Sequence, residues 1–272
     1  MSYKMIALDL DGTLTNSKKE VTKETKSAIR RVAKQGIAVV LASGRPLIGI
    51  QPVADDLELS KFGGYLIAYN GGQIFDCKQK KTIFQSLLPK QYYAELCKLA
   101  KQYQVYALTY NDTSVVAESD QDFYVRKEAY NNSVRIQKVE SLEKYVSYSV
   151  TKFMIVGEPE KLNLLFESIK KIYKGVLGVF FSEPYFLEIV PTGIEKAEAL
   201  RWLLQRLDLK KEDLIAFGDG LNDIPMLEYA GFSVAMENAY PKVKEKADYI
   251  TLSNDENGVA KAMESLIFRG DV

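Results

Sequence analysis

At 272 residues the chain is a little under two domains of about 150 residues each, and 47% hydrophobic with 26% charged residues is an ordinary globular composition. Lys+Arg 36 against Asp+Glu 36 leaves no global basic field to recruit nucleic acid or anionic lipid. His 0 excludes Ser-His-Asp and Cys-His catalysis, histidine bases and imidazole-ligated metals, leaving carboxylates, lysine, hydroxyls, backbone amides or an oxygen-ligated hard metal.

The opening, MSYKMIALDLDG, lacks the basic and apolar regions of a secretory signal, and no apolar run reaches the roughly 18 residues of a membrane span. A soluble, cytoplasmic protein is expected, with Cys77 and Cys97 as reduced thiols. Met5-Ile6-Ala7-Leu8 is a short, continuously apolar run ending at Asp9, the pattern of a strand buried on both faces. Residues 22–35 place Ala28, Ile29, Val32 and Ala33 on one helical stripe closed by Gly36. Strand-like runs follow at 37–42, ending in Ser43-Gly44-Arg45, and at 65–69, ending in Asn70-Gly71-Gly72.

The middle of the chain has another texture. Residues 83–188 hold 11 of the 17 tyrosines and balance 13 Lys+Arg with 13 Asp+Glu. They read as helix 90–102, β-like segments through about 105–137, strand 152–156, helix 159–173 and further strands. The α/β rhythm then returns: a stripe of Ala199, Leu200, Leu203, Leu204 and Leu207, a strand at 214–217 ending in Gly218-Asp219-Gly220, edge strands at 232–235 and 248–251, and a closing helix near 256–267. The expected fold is α/β, a doubly wound, Rossmann-like parallel sheet core from residues 1–82 and 189–272, with an inserted α+β cap at 83–188.

In such a sheet, ligands collect at the carboxyl ends of the strands. Asp9 and Asp11 would repel each other unless a cation or proton sat among them, and Mg²⁺ suits carboxylates that share a phosphate oxygen. Asp-Gly is also a common turn signal, so the pair alone reads as a strand-ending turn; the second acidic cluster, Asp219 and Asp223, shifts the balance towards a cation site. Lys196, opening a helix after Pro191-Thr192-Gly193-Ile194-Glu195, is by itself a solvated lysine; beside a carboxylate cluster it offsets charge. Ser43 and Asn70 alone are common caps and turn formers.

The ordered set Asp9-x-Asp11-Gly12-Thr13-Leu14, Ser43-Gly44-Arg45, Lys196 and Gly218-Asp219-Gly220-Leu221-Asn222-Asp223 resembles the four motifs of the haloacid-dehalogenase-like superfamily. Asn70-Gly71, the insertion, and the tail from Ala235 through Asn238-Ala239 and Asp248 to Asn257-Gly258-Val259 resemble its Cof-type, class IIB-cap sugar-phosphate phosphatases. The likeness is specific across about 3–82 and 189–267, and in the middle it extends only to size and position. It implies that Asp9 attacks phosphorus to give an aspartyl-phosphate, that Asp11 acts as acid and then base, and that Thr13 orients the pair. It implies phosphate or substrate contacts from Leu10 (through the amides after Asp9), Ser43, Gly44, Arg45, Asn70, Lys196 and Asn222. Mg²⁺ is implied at Asp9, Asp219 and Asp11, the last by its main-chain carbonyl, with Asp223 positioning metal-bound water or Lys196.

Glu195 and Ala197 depart from the family pattern, which has a small polar residue and a glycine there; Gly72 stands where alanine is usual. None of these removes a functional group. The expected substrate is a small phosphorylated metabolite, a hexose or pentose phosphate first and pyridoxal phosphate second, with no nucleic acid and no membrane partner and with a monomer or weak homodimer as the assembly. The cap would close over the core and contact the leaving group, and its tyrosines favour sheet packing over ligand stacking. The alternatives are a phosphomutase or phosphotransferase on the same scaffold and a non-catalytic phosphosugar sensor; retention of both Asp9 and Asp11 argues against the sensor.

Overall fold

In the computed structural model, residues 3–268 are described. The chain begins with β1 (Met5–Asp9), α1 (Lys23–Lys34), β2 (Ala38–Ala42), α2 (Leu47–Asp56), α3 (Leu59–Phe62) and β3 (Gly64–Ala68). Two strands follow, β4 (Gln73–Asp76) and β5 (Lys81–Gln85). Next come α4 (Tyr93–Gln102), β6 (Tyr106–Tyr110), β7 (Ser114–Ala117), α5 (Phe123–Asn131), β8 (Arg135–Lys138) and α6 (Leu142–Tyr145). They lead to β9 (Phe153–Val156), α7 (Pro159–Ile172), β10 (Leu177–Glu183) and β11 (Phe186–Pro191). The last third holds α8 (Lys196–Arg206), β12 (Leu214–Gly218), α9 (Ile224–Tyr229), β13 (Phe232–Ala235), α10 (Pro241–Lys244), β14 (Tyr249–Ile250) and α11 (Gly258–Leu266).

The chain divides into two units, one running to Phe84 and resuming at Glu195, the other Gln85–Ile194. The sequence places these boundaries at 82/83 and 188/189. The second lies later because β11 continues to Pro191, whose partner Leu177 is on β10, so the whole strand stays with the second unit.

The first unit is built on an eight-stranded sheet in the order β14-β13-β12-β1-β2-β3-β4-β5. From β14 to β3 all pairings are parallel; β4 runs antiparallel to β3. Alternate residues serve opposite faces, which is why these strands read as unbroken apolar runs. Ile6, Leu8, Val39, Leu41, Ile215 and Phe217 pack with Ile29 and Val32 of α1, Ile50 of α2 and Met263 of α11. Met5, Ala7, Val40, Ala42, Leu214 and Ala216 pack on the other face with Leu200, Leu203 and Leu204 of α8 and Leu227 of α9. β13 differs from expectation: it lies between β12 and β14 and is not an edge strand. β4 and β5, outside the expected elements, extend the sheet beyond β3.

The second unit has a six-stranded sheet, β10-β11-β9-β6-β7-β8. Its core joins Leu96 and Leu99 of α4 and Leu162, Leu165 and Ile169 of α7 to Val116, Phe153, Ile155, Leu187 and Ile189. The β-like reading of 105–137 needs correction: α5 interrupts it, started by Asp122, whose Oδ1 accepts from the amides of Tyr124 (2.9 Å) and Val125 (3.0 Å). Tyrosines here pack among themselves and with Phe153, as at Tyr92–Tyr173 and Tyr93–Phe153. Burial pushes the thiols of Cys77 and Cys97 up to about 12, so both are inert core groups. Among the described residues, no helix is long and apolar enough to cross a membrane.

Candidate active site

Because β12, β1, β2 and β3 are parallel neighbours, their carboxyl ends meet on one edge of the sheet. Asp9 is the last residue of β1, Ser43 follows β2, Asn70 follows β3 and Asp219 follows β12. Lys196 enters the same place from the first turn of α8. Its ammonium is fully buried and bridges two carboxylates, Asp9 Oδ1 at 2.5 Å and Asp223 Oδ1 at 2.7 Å.

Asp223 is itself fixed, since its Oδ2 accepts from the amides of Asp219 (3.0 Å) and Gly220 (2.8 Å). Thr13 donates to Asp219 Oδ1 at 2.7 Å, so the hydroxyl expected to orient the Asp9/Asp11 pair instead orients the acidic residue of the other loop. Gly12 has φ +86°, and a Cβ there would collide with the Asp219 carboxylate, so the β1 and β12 loops approach closely only through glycine. The carbonyl of Gly12 accepts from Asn238 Nδ2 at 2.8 Å.

Asp9, Asp219 and Asp223 each offer a carboxylate oxygen within 4.8 Å of the others. Burial first, then repulsion from Asp223, pushes the Asp9 carboxyl well above its usual range, although Lys196 opposes this. Asp219 is pushed up to about 6 by burial and by Asp223, against the Thr13 hydrogen bond and Lys196. Burial alone would lower the Lys196 ammonium, but Asp223 and Asp9 outweigh it and hold the charge. Hard oxygen donors at this spacing, with protons favoured for want of positive charge, fit a divalent cation such as Mg²⁺.

The residues expected on phosphate lie at the same rim. The Ser43 hydroxyl accepts from the Arg45 amide (3.1 Å), and the Ser43 carbonyl from the Asn70 amide (2.9 Å). Asn70 takes the left-handed conformation, φ 55°, and its Oδ1 accepts from Asn222 Nδ2 at 3.1 Å. A Cβ on Gly44 would press on the Asn70 amide group. Leu10 is buried directly after Asp9, and the Glu195 side chain is exposed at the start of α8.

The Asp11 carboxylate has partners of its own. The Asp11 carboxylate stands outside the three-carboxylate group and is gripped by Arg45, Nε to Oδ2 at 2.7 Å and Nη2 to Oδ1 at 2.6 Å. Arg45, expected on phosphate, is thus engaged with a carboxylate of its own chain. Lys19, which nothing in the sequence singles out, adds its ammonium to Asp11 Oδ1 at 2.8 Å. Burial raises the Asp11 carboxyl, but the two cations outweigh it and hold it below the usual range.

The model for haloacid dehalogenase-like hydrolases matches residues 6–263. The chain belongs to that family. Among curated relatives, the hydrolase is 33% identical to 5-amino-6-(5-phospho-D-ribitylamino)uracil phosphatase YcsE of Bacillus subtilis, with 97% of this chain and 95% of that protein covered. Among solved structures, a haloacid dehalogenase-like hydrolase from Bacteroides thetaiotaomicron superposes with a TM-score of 0.96 at 44% identity, covering 98% of this chain and 100% of the other. TM0651 from Thermotoga maritima superposes at 0.88 with 34% identity and 97% of both chains. The hydrolase is a phosphatase of a Rossmann-like α/β fold.

Proposed function

We propose that the hydrolase cleaves small phosphomonoesters, sugar phosphates first, with Mg²⁺ and through an aspartyl-phosphate on Asp9. The observation that carries this reading is the buried Lys196 ammonium bridging Asp9 and Asp223 beside Asp219, at the carboxyl ends of parallel strands. An in-line attack by a bare carboxylate on a phosphate dianion meets strong repulsion, and Lys196 reduces it from the protein side. Asp9, Asp219 and the Asp11 carbonyl would hold Mg²⁺, with Asp223 behind them, and the ion when bound would supply positive charge for the phosphoryl oxygens.

Asp9 forms the bond to phosphorus while the ester oxygen leaves with a proton from Asp11. In the second step Asp11 takes a proton from the water that displaces Asp9, which regenerates the carboxylate and releases inorganic phosphate. Ser43, Gly44, Asn222 and the amides after Asp9 would bind phosphoryl oxygens. YcsE is named for a ribitylamino phosphate, which supports testing polyol phosphates together with hexose, pentose and pyridoxal phosphates.

The test is phosphate release from that panel with Mg²⁺ and with excess chelator. Release that needs Mg²⁺ is expected, and Asp9→Asn should lower it by at least about 10³-fold while the melting transition persists. A mutase would conserve ester phosphate instead of releasing it, and an Asp9→Asn variant as active as the parent would end the aspartyl-phosphate reading.

A further inference from the structure

The loop that follows β13 touches both of the loops that carry the site's carboxylates. The Met236 amide donates to the Gly218 carbonyl at 3.1 Å, and the Tyr240 amide to the Asp219 carbonyl at 3.2 Å. Between them the exposed Asn238 reaches across to the turn after β1, its Nδ2 donating to the Gly12 carbonyl at 2.8 Å. The other end of the same side chain is also taken, since Oδ1 accepts from the Asn254 amide at 2.9 Å. Asn254, in the turn between β14 and α11, donates its own Nδ2 to the Thr15 carbonyl at 2.9 Å. A carbonyl only accepts and a backbone amide only donates, so Asn238 satisfies both partners in one orientation alone. An aspartate there offers no donor, and an alanine offers neither group.

The turn held by these asparagines is fixed by its own bonds at one end only. The Thr15 amide and hydroxyl both reach the Leu10 carbonyl, at 2.9 and 3.0 Å. Gly12, between them, has the widest backbone freedom of any residue type, and the space a Cβ would fill is taken by the Asp219 carboxylate. A small rotation of the Gly12 peptide therefore changes the approach of Asp219 and shifts the adjoining Asp11 carbonyl. It also swings the negative end of the Gly12 carbonyl relative to three grouped carboxylates. Mg²⁺ demands near-octahedral oxygen geometry, and working sites keep their groups within about 0.5 Å of it.

We infer that Asn238, braced by Asn254, is a positioning residue that clasps the β1 and β12 loops together and keeps their oxygens spaced for one divalent cation. The inference rests on the Mg²⁺ site of the proposed phosphatase. Both asparagines act through main-chain carbonyls, Gly12 and Thr15, and neither touches the cation or the phosphoryl group in this role.

The test measures cation binding without substrate, as the rise of the melting temperature with Mg²⁺ concentration, beside kcat and KM for 4-nitrophenyl phosphate. The variants are Asn238→Ala, Asn254→Ala and Ser17→Ala. Ser17 ties the same segment to Asp255, hydroxyl to carboxylate at 2.9 Å, without reaching Gly12, so its variant controls for simple loosening. Mg²⁺ binding should weaken about tenfold in Asn238→Ala and about threefold in Asn254→Ala, the range of one lost neutral hydrogen bond. Ser17→Ala should stay within about twofold of the parent. At saturating Mg²⁺, kcat and KM of both asparagine variants should return to within about twofold of the parent, because the groups that touch phosphate are intact. An Asn238→Ala protein that melts lower in chelator but keeps the parent's Mg²⁺ affinity would make Asn238 a structural residue and overturn the inference. Equal weakening by Ser17→Ala, or a loss of kcat that saturating Mg²⁺ does not restore, would overturn it too. Should Asn238→Ala not fold, Asn238→Ser, whose hydroxyl stands on a shorter arm, decides by the same two measurements. A parent whose melting ignores Mg²⁺ and whose hydrolysis survives chelator strikes the Mg²⁺ reading beneath, a different result from a responsive parent matched by its variants.

Discussion

Gly12 couples two loops that supply different parts of the site. Its φ of +86° is reached freely by glycine, and its missing side chain leaves room for the Asp219 carboxylate that Thr13 holds at 2.7 Å. Gly12→Ala combines strain of about 1–3 kcal/mol with displacement of Asp219. Mg²⁺ activation should therefore shift to at least about tenfold higher concentration, a change of about 1.4 kcal/mol in binding. A titration of activity against Mg²⁺ checks this, and an unchanged midpoint would mean the two loops are not coupled. At this scale Asp9, Lys196, Asp219 and Asp223 were ambiguous one by one, as turn or solvated residues, and became legible only as an ordered set after successive buried strands. The sequence was silent about Lys19, which reaches Asp11 only because a turn places it in a left-handed conformation. An exposed lysine in a pair of lysines carries no signal of that.

Elements were legible where periodicity was strong. α1, β1, β2, β3 and β12 come from apolar runs or stripes that admit one reading, and Gly36 closes α1 with φ +82°. α5 was lost within a tyrosine-rich stretch that resembles strands, since aromatic and β-branched residues favour pleated surfaces. Its start depends instead on one cap. Asp122→Ala should destabilise Gln85–Ile194 by about 1 kcal/mol, whereas Asp122→Asn should stay near the parent. Urea unfolding followed through this unit measures the difference, and Mg²⁺ activation should not move with it. Equal stability of the three proteins would show that tertiary packing, not the cap, starts this helix. β4 and β5 were missed for a related reason: β5 is a largely exposed outermost strand, and its residues show no clear alternation.

For the whole molecule, the carboxylate group creates a pH signature. Without cation, Asp219 has a folded value near 6 and Asp9 is also raised, so at these groups the folded state binds more protons than the unfolded chain. Asp219 therefore lowers stability as pH rises from the unfolded carboxyl range through about 6, and the raised Asp9 acts in the same sense. Asp11 works in the opposite sense, since its lowered value adds stability above the unfolded range that is lost on acidification. In chelator, Asp219→Asn should reduce the downward slope around pH 6, leaving the part due to Asp9; in saturating Mg²⁺ the parent should lose the slope and melt higher. Melting temperatures from pH 5 to 8 in both conditions test this, and parallel curves with and without Mg²⁺ would exclude the carboxylates as the cation site. The neutral balance of charge, 36 against 36, keeps such local effects from being masked by a large net charge.

The sequence by itself determined the α/β core, the insertion and the residues at the strand ends. A parallel strand buried on both faces must be apolar along its length and must stop where its loop turns polar, so the pattern is local and can be read without coordinates. Only the tertiary structure decided which partner each polar side chain takes. Arg45 pairs with Asp11, 34 residues away, and Thr13 with Asp219, 206 residues away. Those choices follow from the β12-β1-β2-β3 strand order and from side-chain distances of a few ångströms. An ion pair is set by such through-space distances, and neither residue type nor spacing along the chain specifies them.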